Sequence, residues 1–241
     1  HYYEIGRAFG EFQRRLRTFP AQRLHETIPD FHNTTRRFYA FVAAVAEDRA
    51  GRVDALEDEI EFFFERRKMM NEIVRRLKTG ELPLRVTHND TKSNNVLIDQ
   101  ETDEAICVID LDTVMPGSSL YDFGDAVRFG ASTAAEDEED LSKIGLDMEK
   151  YRLFTEGFLR ETNGFLTEKE IGLLPLGVKV ITCELAMRFL TDYIDGDRYF
   201  KVNSPTHNLA RAHAQMKLLT DIEAKEEEMY RVLMEIIREG T

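Results

Sequence analysis

Cysteine is nearly absent: Cys107 and Cys183 are the only two in 241 residues. Two cysteines cannot build a disulfide framework or a zinc site, so a reducing compartment, the cytoplasm, is expected. No apolar run approaches the roughly 20 residues that a membrane span needs, so no membrane role is expected. Basic charge is also scarce, with 32 Lys and Arg against 45 Asp and Glu and a formal net charge of −13. Such a chain binds phosphate backbones poorly, which argues against a nucleic-acid partner. There is no internal repeat, low-complexity tract or long linker, and His1-Tyr2-Tyr3-Glu4 reads as neither a signal nor a transit peptide. What remains is a soluble globular composition, 42% hydrophobic and 32% charged. A chain of this length buries a sizeable core and reads as one domain.

The acid is concentrated. Residues 81–150 hold 17 acidic and 5 basic residues, whereas residues 1–80 are close to neutral. The run Glu136-Asp137-Glu138-Glu139-Asp140 reads as the first turn of a helix, where the dipole favours negative charge. Other acids in this segment sit beside apolar strand residues.

Residues 1–80 read as helical. Tyr2, Ile5, Phe9, Phe12 and Leu16 recur at helical spacing before Pro20. Asn33 is a candidate cap for a second helix bearing Phe38, Phe41, Val42 and Val45. A third helix is expected over 54–78, ended by Gly80. Residues 81–115 change pattern, with strands expected at 84–87, 96–99 and 105–109, the last two forming a hairpin. From residue 116 onward the chain reads as helical again, near 120–129, 136–144, 149–162, 167–195 and 206–238. The fold class is therefore mainly α with a small β-hairpin insertion.

That insertion carries the chemistry. It reads His88-Asn89-Asp90-Thr91-Lys92-Ser93-Asn94-Asn95, then the hairpin, then Asp110-Leu111-Asp112. The first part fits H-x-D-x-x-x-x-N, in which the Asp accepts the proton of a substrate hydroxyl and the Asn holds Mg²⁺. Asp90 and Asn95 have that spacing. Pairing Val96 with Ile109 puts Asn95 opposite Asp110, so two hard oxygen ligands would lie together beside Asp90. Asp112 would point to the same side if the strand continues, and could touch a second ion. Asp122-Phe123-Gly124 spells another kinase string but lies past the hairpin at an expected helix start. Asp122 therefore reads as structural support, capping that helix or bonding to the catalytic loop. Lys92 either reaches the transferred phosphate or is a solvated loop lysine. His88 reads as a buried prop for the loop.

At these residues the sequence resembles the aminoglycoside phosphotransferase and choline kinase superfamily, which is kinase-like. Thr87 to Val96, Val108 to Gly117, Tyr121-Asp122-Phe123-Gly124-Asp125 and Arg128-Phe129-Gly130 look like its N-acetylhexosamine 1-kinase branch. So do Arg188-Phe189-Leu190-Thr191-Asp192-Tyr193 and Asp197-Arg198-Tyr199-Phe200. Asn89 stands where typical aminoglycoside kinases carry Gly, which points away from an antibiotic substrate. The resemblance implies transfer of the ATP γ-phosphate to the anomeric hydroxyl of an N-acetylhexosamine, with ATP and Mg as cofactors. It implies Asp90 as base, Asn95 and Asp110 as magnesium ligands, and Phe129, Arg188 and Tyr199 lining a sugar pocket. From the residues alone, Arg188 could instead pair with Glu184 or Asp192 on its own helix, and Phe129 and Tyr199 could be core. Choline, homoserine, methylthioribose and aminoglycosides are alternative substrates, and a non-catalytic pseudokinase-like module is an alternative role.

A kinase also needs a glycine-rich turn over the phosphates and a strand lysine paired with a helix glutamate. Neither pattern is found. The expectation is thus a C-terminal lobe alone, without the N-terminal ATP lobe of the superfamily, binding ATP weakly and turning over little or nothing.

Overall fold

The structure, a computed structural model, describes residues 1–240. Its helices are α1 (Tyr2–Leu16), α2 (Thr34–Glu47), α3 (Glu57–Lys78), α4 (Ser119–Gly130), α5 (Met148–Thr162), α6 (Glu168–Gly172), α7 (Leu174–Ile194), α8 (His207–Ala224) and α9 (Glu226–Glu239). The strands are β1 (Arg85–Thr87), β2 (Val96–Ile98), β3 (Ala105–Val108) and β4 (Met115–Gly117). Among the described residues no helix is long and apolar enough to cross a membrane.

Helix ends follow local chemistry. Asn33 caps α2 by accepting the Arg36 N–H at 3.2 Å, and Thr167 and Glu170 form a capping box on α6. Helix α3 opens on Glu57, Asp58 and Glu59 and closes on Arg75, Arg76 and Lys78, matching its dipole. The core has three parts. One joins α1, α4, α5, α8 and α9 through Phe9, Phe123, Tyr151 and Phe158. A second gathers Phe41, Phe63, Met187 and Leu190 from α2, α3 and α7. The third sits between α3, α4 and α7 around Ile73, Leu120 and Ile181. Helix α7 is buried nearly all round, which places it at the centre.

Glycines set the closest helix contacts. A Cβ on Gly157 of α5 would lie 2.0 Å from the Tyr3 carbonyl oxygen of α1. A Cβ on Gly177 of α7 would lie 2.4 Å from the Leu120 carbonyl oxygen of α4. Alanine is the better helix former by about 1 kcal/mol, yet overpacking costs about 1–3 kcal/mol or more. Gly157→Ala is therefore expected to lower the urea midpoint of unfolding, with the sign opposite to propensity.

Several expected elements are corrected. Residues 136–144 form no α-helix: only a 3₁₀ turn, Leu141–Lys143, is present. Five consecutive acids repel at i,i+3 and i,i+4, Glu136 is drawn to Arg128 at 2.9 Å, and Thr133 Oγ1 ties the loop to the Lys143 carbonyl. The expected helix 167–195 is broken at Leu173, with a proline in the first turn of α7. The expected helix 206–238 is broken at Lys225. Helix α3 starts at Glu57 rather than at residue 54, since Val53–Ala55 is a 3₁₀ turn. The β insertion is two sheets rather than one hairpin: β1 pairs antiparallel with β4, and β2 pairs with β3. The sequence reading did not include β4, whose Met-Pro-Gly is a poor strand pattern.

Candidate active site

The segment between β1 and β2 is held from below by α4. Asp122 is fully buried and accepts the backbone N–H groups of His88 at 3.0 Å and Asn89 at 2.8 Å, and the Gln13 amide at 2.7 Å. Burial pushes its carboxyl above the ordinary range, against the pull of these donors. One helical turn later, Asp125 accepts the Thr91 N–H at 2.9 Å. Arg128 donates to the other oxygen of Asp125 through Nε at 3.1 Å and Nη2 at 2.9 Å. Burial alone would raise Asp125, but the Arg128 guanidinium holds it below the usual carboxylate range. Arg128 also reaches Glu136 at 2.9 Å and Gln215 at 3.2 Å.

Asn89 sits in the left-handed region, φ 66°. Asn tolerates that conformation better than most side chains. Here its amide also works: Nδ2 donates to the Thr113 carbonyl at 2.9 Å, and Oδ1 accepts from Thr87 Oγ1 at 2.9 Å. His88 is buried between Phe9 and Phe12, each 5.6 Å away edge-on. Its Nε2 faces the Ile109 carbonyl at 3.0 Å and its Nδ1 accepts the Asp90 N–H at 3.3 Å. The imidazole thus spans from the loop to the end of the hairpin.

Asp90, the candidate base, lies at the tip. One carboxylate oxygen is 3.1 Å from Lys92 Nζ, and the other accepts from Asn95 Nδ2 at 3.3 Å. Asn95 Nδ2 also donates to the Asp90 carbonyl at 2.8 Å. With its N–H₂ turned to Asp90, Asn95 keeps its Oδ1 available as an acceptor.

The hairpin register differs by one residue from that expected. Val96 pairs with Val108, not Ile109, and a bulge lies between Leu97 and Ile98. The extra residue leaves Ile106 63% exposed instead of facing the core. The Ile109 N–H bonds the Asn95 carbonyl at 2.9 Å, so Asn95 lies opposite Ile109, and the expected pairing of Asn95 with Asp110 is not formed because the one-residue slip carries Asp110 a position further along. Asp110 turns into the left-handed region, φ 62°, and starts a 3₁₀ turn, Leu111–Thr113. The strand therefore does not continue, and Asp112 does not share a strand face with Asp110. Asp110 is exposed, and its side chain caps no N–H of that turn among the described residues.

Among the described residues no three His, Cys, Asp or Glu side chains cluster as a protein-only metal cage. Asn95 and Asp110 offer hard oxygens alone. That donor set fits Mg²⁺, which keeps waters and takes substrate phosphate oxygens alongside one or two carboxylates.

Beside Asp90 opens a cavity of about 410 Å³. Asp90, Lys92, Asp125 and Arg128 line one part, and Glu184, Arg188, Phe189, Tyr199, Phe200 and Arg211 another. The Arg188 guanidinium is boxed by Phe31 at 5.3 Å, Phe200 at 5.5 Å and Tyr199 at 5.6 Å. Its ion-pair partner is Glu184, loosely, at 3.8 Å. Asp192, the other possible partner, instead accepts the N–H groups of Arg198, Tyr199 and Phe200 at 2.8–2.9 Å. That carboxylate shapes the loop on which Tyr199 stands.

The structure thus gathers Asp90, Lys92, Arg188 and Tyr199 around one cavity, whereas Asn95 and Asp110 are not among the residues that line it. Phe129 is a correction, because it does not line the cavity. Asp125 and Arg128 are one turn apart on the cavity face, and the next residue is rotated about 100° away. Phe31 and Phe200 supply the aromatic surface instead. Asp125, Arg128, His32 and Arg211 were missed as site residues. The pair Asp125 and Arg128, charged at i,i+3 within an otherwise apolar helix, was a readable signal. His32 and Arg211 had none, since they reach the cavity only through tertiary packing.

A mainly helical lobe with an H-x-D-x-x-x-x-N loop propped over a short hairpin defines a kinase-like phosphotransferase. The phosphotransferase enzyme family, APH, matches residues 1–154 of the chain. The chain belongs to that family. Its members imply ATP-dependent phosphoryl transfer to a small-molecule substrate.

Proposed function

We propose that the protein phosphorylates the anomeric hydroxyl of an N-acetylhexosamine, with Asp90 as general base. The observation that carries this reading is the cavity that joins Asp90 to an aromatic-boxed arginine. Sugars are held by planar donors on their oxygens and aromatic faces on their C–H surface. Arg188 offers the first, and Phe31, Phe200 and Tyr199 offer the second. Positive groups outnumber free carboxylates here, since Asp125 and Glu136 are engaged by Arg128 and Glu184 by His32. A quaternary ammonium such as choline is therefore disfavoured, whereas a neutral polyol is accommodated.

In this mechanism the sugar hydroxyl approaches Asp90, whose carboxylate accepts its proton as the oxygen attacks the γ-phosphorus of ATP and the bond to the β-phosphate oxygen breaks, releasing ADP. Lys92, 3.1 Å from Asp90, offsets charge on the transferred group. Asn95 and Asp110 would hold the magnesium ion, which when bound neutralises phosphate charge. Asp122 and Asp125, through three loop N–H groups, keep the loop from moving during transfer.

Calorimetric titration of the 241-residue chain tests the substrate class. Saturable heat is expected with N-acetylglucosamine or N-acetylgalactosamine and none with choline. Arg188→Leu is expected to weaken sugar binding by at least about tenfold, the loss of one charged hydrogen bond of about 1.5–3 kcal/mol. Binding of choline in place of the sugar, or unchanged sugar affinity in Arg188→Leu, would overturn the assignment.

A further inference from the structure

Two histidines touch the catalytic loop, and their neighbours differ in kind. His88 has one donor and one acceptor beside it, so a neutral imidazole satisfies both. His32 does not. It lies just before α2, with its side chain only 9% exposed. Its Nδ1 faces both oxygens of Glu184, at 3.0 and 3.2 Å, and its Nε2 faces the carbonyl oxygen of Asn89 at 3.3 Å. A carboxylate and a carbonyl can only accept. Both contacts are hydrogen bonds only when both ring nitrogens carry protons.

The location gives this contact a consequence. The Asn89 carbonyl belongs to the peptide bond that joins Asn89 to Asp90. Two other atoms of this stretch are already fixed: the Asn89 N–H by Asp122 and the Asp90 N–H by His88. His32 fixes the carbonyl between them, and its other end is anchored on the central helix α7. The rings of Phe31 and Tyr121, at 4.6 and 5.0 Å, hold the imidazole plane. The ionisable groups around it are Glu184 and Arg188 from α7, Tyr121 and Asp125 from α4, the latter paired with Arg128, and Arg37 from α2, which acts on Glu184.

We propose that His32 is a positioning residue that carries protons on both ring nitrogens and ties the peptide carbonyl preceding Asp90 to Glu184. Because Glu184 also neighbours Arg188, the same bridge connects the substrate cavity to the backbone of the base. Its effect on rate rests on the phosphotransfer reading, whereas its protonation does not.

Two-bond ¹H–¹⁵N correlation spectroscopy of the full chain at pH 7 reads the protons directly. The His32 signal is assigned by its loss in His32→Gln, or from contacts with the Phe31 and Tyr121 rings if that variant fails to fold. Two proton-bearing nitrogens are expected for His32, and one in Glu184→Gln. A single protonated nitrogen in the unmodified protein, or two that persist in Glu184→Gln, would overturn the bridge. In steady-state kinetics, His32→Gln is expected to lower kcat on the order of 10²-fold, the penalty for misplacing a reacting group by about 1 Å, with KM within a few-fold. Unchanged kcat, whatever happens to KM, overturns the positioning role. Absence of turnover in the unmodified protein refutes the phosphotransfer reading and leaves the protonation result standing.

Discussion

Asp90→Asn is expected to lower kcat by about 10²–10⁴-fold, the usual contribution of a positioned general base. Sugar affinity is expected to stay nearly unchanged. The substitution is close to isosteric, so it removes the proton acceptor without opening space. The loop keeps its shape, because that shape comes from other atoms. Asp122 and Asp125 hold the N–H groups of His88, Asn89 and Thr91, and none of those bonds involves the Asp90 side chain. What Asp90 does lose is its charge contact with Lys92 at 3.1 Å. That pair is partly exposed and contributes little to stability. Steady-state kinetics together with calorimetric sugar binding checks the split. A variant that keeps its turnover shows that another group takes the proton.

Arg128→Met is expected to destabilise the fold by about 3–5 kcal/mol, the cost of leaving a buried charge without its partner. Arg128 is 2% exposed and Asp125 is 6% exposed. The methionine fills most of the space, so the loss is electrostatic rather than a cavity. The pH dependence should change sign as well. Arg128 holds the folded-state pKa of Asp125 below its ordinary value. Stability from this pair is therefore present above the ordinary carboxylate range and lost as pH falls through the depressed folded value. Without Arg128, burial raises the Asp125 pKa, and the variant should regain stability relative to the unmodified protein on acidification. Urea unfolding of both proteins across the acid range measures this. A loss below about 1 kcal/mol, typical of an exposed pair, would mean that Arg128 is not a buried hub.

The sequence made the helical frame and the loop legible for different reasons. Phe38 and Phe41 announce α2 by spacing, and Asn33 marks its start. The loop is legible because phosphoryl transfer demands an Asp and an Asn at one interval, whatever the surrounding fold. The hairpin register was not legible. One extra residue bulges out near Ile98, and alternation alone does not say which of Ile106 and Cys107 is surplus. The acidic run at 136–140 misled for a related reason. Local charge favours a helix start, but the buried Arg128 attracts Glu136 across space. Phe129 was misplaced by one residue on α4, where a single step turns a side chain from the cavity to another face. His32 illustrates the remaining class: nothing beside it in the chain announces that it meets Glu184, 152 positions later.

The central claim is transfer of phosphate from ATP to the anomeric hydroxyl of an amino sugar. It is tested most directly by ³¹P NMR of the product formed by the protein from ATP–Mg²⁺ and N-acetylglucosamine or N-acetylgalactosamine. The expected result is a sugar 1-phosphate that disappears with Asp90→Asn. Phosphate on any other hydroxyl, or a 1-phosphate that persists in Asp90→Asn, would contradict it.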